Sequence, residues 1–299
     1  MIDKLEFLLA LARERNFSRA AESCGVTQPT LSAGIKQLED SLGVLLVNRS
    51  SRFHGLTADG ERVLEWAKRI VSDTRAMRQE VRSPKTALVG HLTIAAVPTA
   101  LGMTTQLTTP FREKHPDVRF TILSQTSREI LTMLDDLQID AGLTYLDNEP
   151  LGQIRTLPLY WERYRLLTSV HLPLGDRDTV SWKEVAAVPL CLLTPDMQNR
   201  RIIDRLLGGA APPHPPMLES NSMVVLAAHV RTGQWSSIIP ETFAEVLGLS
   251  EPLRSIPIVE PQEVQRIGLV LPRREPMPPL TRALVAEASR LAPPDDAEA

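Results

Sequence analysis

Gln28, Pro29, Thr30, Ser32 and Lys36 fall in one nine-residue window and bring short hydrogen-bonding groups and a single cation together. They are threaded between Leu31, Ile35, Leu38 and Leu42, which recur at steps of four, three and four, the spacing of one apolar stripe along a helix. Thr27 is a good N-cap, Pro29 sits in the first turn where a missing N–H costs little, and Gly43 closes the helix. Amide, hydroxyl and ammonium groups on the face opposite the stripe suit a major groove, where they hydrogen-bond base edges and meet phosphates. Downstream, VNRSSRFHGLTADG sets Arg49 and Arg52 about two serines, with Gly55 to reverse the chain, so a β-wing gripping phosphates is expected. His54 in that wing is a further candidate for a phosphate.

Such a face needs to be held. A short helix at Ser18–Ser23, capped by Ser18, offers small Ala20 and Ala21 for close crossing, and Cys24-Gly25-Val26 supplies the turn of a helix-turn-helix. A first helix over Asp3–Arg15, with Leu5, Leu8, Leu9 and Ala12 inward, braces it. The bland alternative is a three-helix subdomain with a solvated basic loop; the agreement of cap, turn, stripe and basic wing disfavours it.

Phe17-Ser18-Arg19-Ala20-Ala21, Val26 through Ser32, and Ile35-Lys36-Gln37-Leu38-Glu39 together resemble the N-terminal signature of LysR-type transcriptional regulators. Leu45 through Arg49 and Leu56-Thr57-Ala58-Asp59-Gly60 are similar to that family's wing and following helix. Ala33 departs from the arginine the family often has after the recognition-helix serine, so a different operator preference is expected.

Residues 58–82 read as a longer helix, with Val63, Ala67, Ile70, Thr74, Met77 and Val81 at alternating steps of four and three, a heptad seam. A dimerising coiled coil is expected, because a lone helix-turn-helix binds weakly and a pair reads two half-sites. The alternative is a helix packed on its own domain. The resemblance implies a linker-helix pair here. Ser83-Pro84-Lys85 then makes a hinge.

From His91 the texture becomes strand–helix–strand: 91–97, 118–123 and 139–145 are strands separated by helices to about Lys114 and Leu137, which predicts a parallel sheet. Ligands of such sheets sit beyond the carboxyl ends of strands, where helix N-termini present free N–H groups. Pro98, Thr99, Ala100, Thr126 and Ser127 occupy those places, and each is also an ordinary helix cap. A second series follows YWERYRLLTSV (160–170): a capping box at Ser181–Glu184, a strand at Pro189–Leu193, a helix opened by Thr194, the Pro-rich loop PPHPP, a strand at 217–220, a helix capped by Asn221-Ser222, a strand at 236–240, a returning strand at 264–271 and a last helix at 280–291. The segment from Glu219 to Pro240 resembles the family's regulatory domain, two α/β lobes like periplasmic binding proteins, joined by crossing strands.

The expected fold is therefore α/β with an N-terminal all-α winged helix-turn-helix (1–58), a linker helix (59–86) and a two-lobed effector domain (87–299; lobe I about 87–161 and 268–299, lobe II about 162–267). Pro98, Thr99, Ala100, Thr126, Ser127, Tyr145, Thr194 and Asn221 are its candidate effector contacts. Helix N-termini favour a small carboxylate. The N-terminal segment is similar to family members near formate-dehydrogenase operons, which suggests formate; an aromatic carboxylate is the alternative, disfavoured by the scarcity of aromatics to accompany Tyr145. Arg128, Arg155 and Arg200 are cations without an assigned place.

Composition agrees with confined DNA contact. The net charge is −3, yet residues 1–86 hold 14 Lys and Arg against 11 Asp and Glu, and the remainder is acidic. No phosphate loop, GxGxxG, HExxH or CxxC occurs, so no enzyme, metal or cofactor is expected. Cys24 and Cys191 give no disulfide framework, and a soluble cytoplasmic protein is expected. Thiol sensing in the resembled family needs two regulatory-domain cysteines, and only Cys191 is there, in the apolar PLCLL. Promoter DNA, a small effector, a second copy in a dimer or tetramer and RNA polymerase are the expected partners. The other functional classes are an effector-independent repressor and a small-molecule binder without DNA function. The PPDDAEA terminus reads as an acidic tail.

Overall fold

The structure, a computed structural model, describes residues 1–49, 53–82, 88–147, 151, 154–208, 215–273 and 275–291. The hinge at 83–85, most of the Pro-rich loop and the acidic tail lie outside the described residues. The chain divides into two compact units, one built on residues 1–87 and one on the chain from Leu88 onward.

The first unit begins with α1 (Ile2–Glu14), α2 (Phe17–Ser23) and α3 (Gln28–Leu42). Leu5, Leu8 and Leu11 of α1 share a core with Ala20, Ala21, Leu31, Ile35 and Leu38. Leu9 and Ala12 are only half-buried, since the inward line of α1 runs through Leu11 instead. Asn16, not Ser18, caps α2: its side-chain oxygen accepts the N–H groups of Ser18 and Arg19. The apolar stripe of α3 ends one turn early, because Leu42 is exposed and the buried Glu39 takes over, accepting the N–H groups of Leu46 and Val47. That carboxylate ties the end of α3 to β1 (Val47–Arg49), which pairs antiparallel with β2 (Phe53–Leu56). Gly55 lies within β2 and not in the reversal.

The 25-residue helix α4 (Ala58–Arg82) follows. Its seam divides. Ala67 and Val71 are fully buried in the first unit's core and Val63, Leu64 and Ile70 pack against it, whereas Met77 and Val81 are exposed. The first half of the helix therefore belongs to the first unit's own core.

The second unit opens with β3 (Gly90–Ala96), a 3-10 turn at Pro98–Ala100, and α5 (Thr104–Lys114), which starts four residues after that turn. Then come β4 (Val118–Ser124), α6 (Ser127–Asp135), β5 (Ala141–Tyr145) and the 16-residue β6 (Ile154–Ser169). The second lobe contributes β7 (Val180–Ser181), α7 (Trp182–Val185), β8 (Cys191–Leu193), α8 (Gln198–Gly208), β9 (Leu218–Ser220), α9 (Met223–Val230), β10 (Ser237–Pro240), α10 (Glu241–Leu247) and β11 (Leu253–Val259). The chain returns through β12 (Val264–Pro272) to α11 (Pro279–Ala288).

Strand β6 is the spine. Its first half pairs with β12, which lies antiparallel beside β5 of the parallel set β4-β3-β5; its second half pairs with β10 on one side and β11 on the other. One strand therefore serves both lobes, and the segment near Glu162 is where it passes between them. Strand β11 and helix α10 have no counterpart in the sequence expectation, and both flank this spine.

Candidate DNA interface and effector cleft

On α3, Gln28, Pro29, Thr30 and Lys36 are exposed and Ser32 is half-buried, while Leu31, Ile35 and Leu38 face inward. Thr27 caps the helix by accepting the Thr30 N–H, and its hydroxyl also meets that of Thr30 at 2.8 Å. Gly34 fixes how deeply α3 seats, because a Cβ there would lie 2.7 Å from the Phe7 ring of α1. Ala33 and Gln37 are exposed on the same polar side. Arg49 ends β1, and His54 is exposed on β2; Arg52 lies outside the described residues.

In the second unit, the expected effector residues separate into three groups. Thr126 is spent as a cap: it and Glu129 form a reciprocal box in which the Glu129 carboxylate takes both the Thr126 N–H and hydroxyl at 2.9 Å. The anion position at that helix end is thus filled by the chain itself. Asn221 is exposed, and Ser222 caps α9 in its place, accepting the Val225 N–H. Pro98, Ala100, Ser127 and Thr194 are buried or half-buried around the strand ends, and the Ser127 and Thr194 hydroxyls have no partner among the described residues.

Thr99 and Tyr145 meet at a centre that the sequence did not announce. The Tyr145 hydroxyl donates to Glu162 Oε1 at 2.6 Å. With its proton so directed, its oxygen accepts from Thr99 Oγ1 at 3.1 Å and from Asn199 Nδ2 at 3.3 Å. Thr99 and Tyr145 come from lobe I, Asn199 from the first turn of α8 in lobe II, and Glu162 from the shared strand. Glu162 is 0% exposed and Asn199 2%. Burial pushes the Glu162 carboxyl up to about 7, against the lowering effect of the Tyr145, Thr99 and Asn199 side chains. Tyr160 and Tyr164 flank Glu162 at two residues on either side, hence on the same face of β6, and burial with the Glu162 charge raises both phenols. Every tyrosine of the chain stands around this one carboxyl group. A lone acid on the inward face of Tyr160-Trp161-Glu162-Arg163-Tyr164 was the available signal.

Among the described residues no arginine is bonded to Glu162. Arg200, on the same helix as Asn199, is held by Asp204 at 2.7 Å, Glu219 at 2.6 Å and the Leu193 carbonyl at 2.7 Å. Arg155 is exposed. The two lobes also close on one another at Gly102, where a Cβ would lie 2.9 Å from Val246 Cγ2 of α10.

Two family models cover nearly the whole chain: the bacterial regulatory helix-turn-helix of the lysR family over residues 2–61, and the LysR substrate binding domain over residues 85–292. The chain belongs to the LysR family. Among its relatives are a hydrogen peroxide-inducible genes activator of Dickeya chrysanthemi, 26% identical over 273 residues (90% of this chain, 88% of the relative), and a probable nitrogen assimilation transcriptional activator of Synechococcus elongatus, 28% identical over 296 residues (96% and 94%). A full-length OxyR variant from Pseudomonas aeruginosa has the same fold, with a TM-score of 0.75 at 24% identity, covering 98% of this chain and 96% of that one. In this LysR regulator the regulatory-domain Cys191 is fully buried, and burial pushes its thiol up to about 11, away from the thiolate form. Burial also raises Cys24, in the turn before α3. Among the described residues no helix is long and apolar enough to cross a membrane, and no cluster of metal-ligating side chains occurs.

Proposed function

We propose that this LysR regulator reads promoter DNA with Gln28, Pro29, Thr30, Ser32 and Lys36, holds the phosphate backbone with Arg49 and Arg52, and is controlled by a small molecule between the lobes of its second unit. The exposed polar face of α3 carries the DNA half of this reading. A second copy joined through α4, assembly to a tetramer, action in the cytoplasm and contact with RNA polymerase complete the proposal, and no catalytic residue is assigned. An effector-independent repressor is the lesser reading, because buried polar atoms in the cleft lack partners, as expected of a site completed by a ligand.

A carboxylate such as formate gains little support from the cleft. The helix end at Thr126 is already occupied by Glu129, and the group at the centre is itself a carboxyl. Peroxide sensing through a thiol gains none, given the surroundings of Cys191.

The test is selection of duplexes from a randomised library with the full-length protein, followed by titration of the enriched operator. Ser32→Glu places a carboxylate against DNA and is expected to abolish specific binding while the melting temperature stays unchanged. Operator affinity retained by that variant would overturn the assignment of α3.

A further inference from the structure

The chemistry of the cleft specifies its ligand more narrowly than the family does. Glu162 Oε2 and Asn199 Oδ1 are buried and have no hydrogen-bond partner among the described residues. Both are acceptors, and one belongs to each side of the closure: Glu162 to the spine, Asn199 to lobe II. A ligand completing this set supplies donors. An anionic ligand would instead set like charge beside Glu162, with Arg200 already committed to Asp204 and Glu219. A buried carboxyl with one oxygen unpartnered supplies the counter-charge for a cation that donates N–H groups.

We propose that the effector is a small organic cation bearing N–H donors, a primary ammonium in the first instance, with Glu162 as its counter-ion and Asn199 Oδ1 as a second acceptor. The proposal rests on the cleft being the effector site. Binding draws the lobes onto the ligand, since Asn199 approaches from lobe II and Thr99 with Tyr145 from lobe I. The ligand needs Glu162 ionised, so its apparent affinity weakens about tenfold for each pH unit below the carboxyl's titration.

The experiment uses the full-length protein in thermal unfolding at pH 8 and constant ionic strength. Methylammonium, ethylammonium, n-butylammonium and guanidinium are compared with formate and benzoate, because a ligand that binds only the folded state raises the melting temperature by mass action. An upward shift with an ammonium probe, none with the carboxylates, and weakening of the effect at pH 6 are expected. Glu162→Gln should lose the shift. Asn199→Leu, which keeps the acid, should weaken binding about five- to tenfold and gives a second route should the first variant fail to fold. A shift with the carboxylates alone overturns the cation proposal and leaves the cleft as the effector site. No shift with either class removes both. An ammonium shift that survives unchanged in Glu162→Gln also overturns the assignment, since binding would then lie elsewhere.

Discussion

Glu162 imposes a cost on the unliganded fold that can be measured without any ligand. Its carboxyl titrates near 7 when folded and near the ordinary 4.5 when the chain is unfolded. The folded state holds the proton more tightly, so the stability linked to this group is fully present below 4.5 and is lost as pH rises through about 7. Above that, the buried charge costs roughly 3 kcal/mol. The groups facing it are Tyr145 from β5 and Tyr160 and Tyr164 from β6, with Arg205 and Glu263 acting on Tyr164; the phenols stay neutral throughout this window, since their own values are raised. Glu162→Gln should therefore be the more stable protein at pH 8 in denaturant unfolding, with the gain shrinking at pH 5. An equal difference at both values would mean that Glu162 does not carry this titration. The exposed polar face of α3 was legible because cap, proline and apolar steps are local features of one helix. Glu162 was not, because its meaning depends on Asn199, 37 positions away in the chain, and on strand pairing that places Gln265 opposite it.

At the scale of elements, glycines without side chains set how closely neighbours approach. Gly60 in the first turn of α4 has no room for a Cβ, which would lie 2.1 Å from the Leu46 carbonyl oxygen, a backbone atom that cannot rotate away. Gly60→Ala should destabilise the first unit by about 1–3 kcal/mol, as overpacking does, read by denaturant unfolding of the full-length chain. A variant as stable as wild type would show that α4 can slide on the wing without loss. This contact was invisible in Leu56-Thr57-Ala58-Asp59-Gly60, which specified a helix start and nothing of what leaned on it. Length and alternation decided the rest. Strands β3, β4 and β5 declared themselves and β6 did so only from Tyr160 onward, whereas α10 has seven residues and β11 carries Pro257 in its middle, so neither reached the pattern by which elements are recognised. Asn16 displaced Ser18 as a cap for a similar reason: both residue types suit the role, and only the fold shows which backbone N–H groups are near.

At the scale of the molecule, α4 leaves an apolar line uncovered. Trp66, Met77 and Val81 are 62%, 58% and 80% exposed, and helical geometry places them, with half-buried Ile70, along one side. That line continues the one of Val63 and Ile70, which pack against the first unit's core, so the seam is occupied in the first half of the helix and open in the second. A contiguous apolar face on a charged helix calls for a partner, and a second copy of α4 supplies the same face in return. Two recognition helices held on one dimer bind an operator's half-sites together, so the second contact is made at the effective concentration of the first. Met77→Glu with Val81→Glu places four carboxylates in the seam of such a dimer. The doubly substituted protein should sediment as a monomer and lose operator affinity at least about a hundredfold, while its helix content and the melting of its second unit stay as in wild type. Because those residues are exposed in the single chain, folding does not depend on them, and a loss of affinity without a loss of structure would trace to the dimer alone. A variant that still sediments as an oligomer and still binds operator tightly would move the dimer contact off this face of α4.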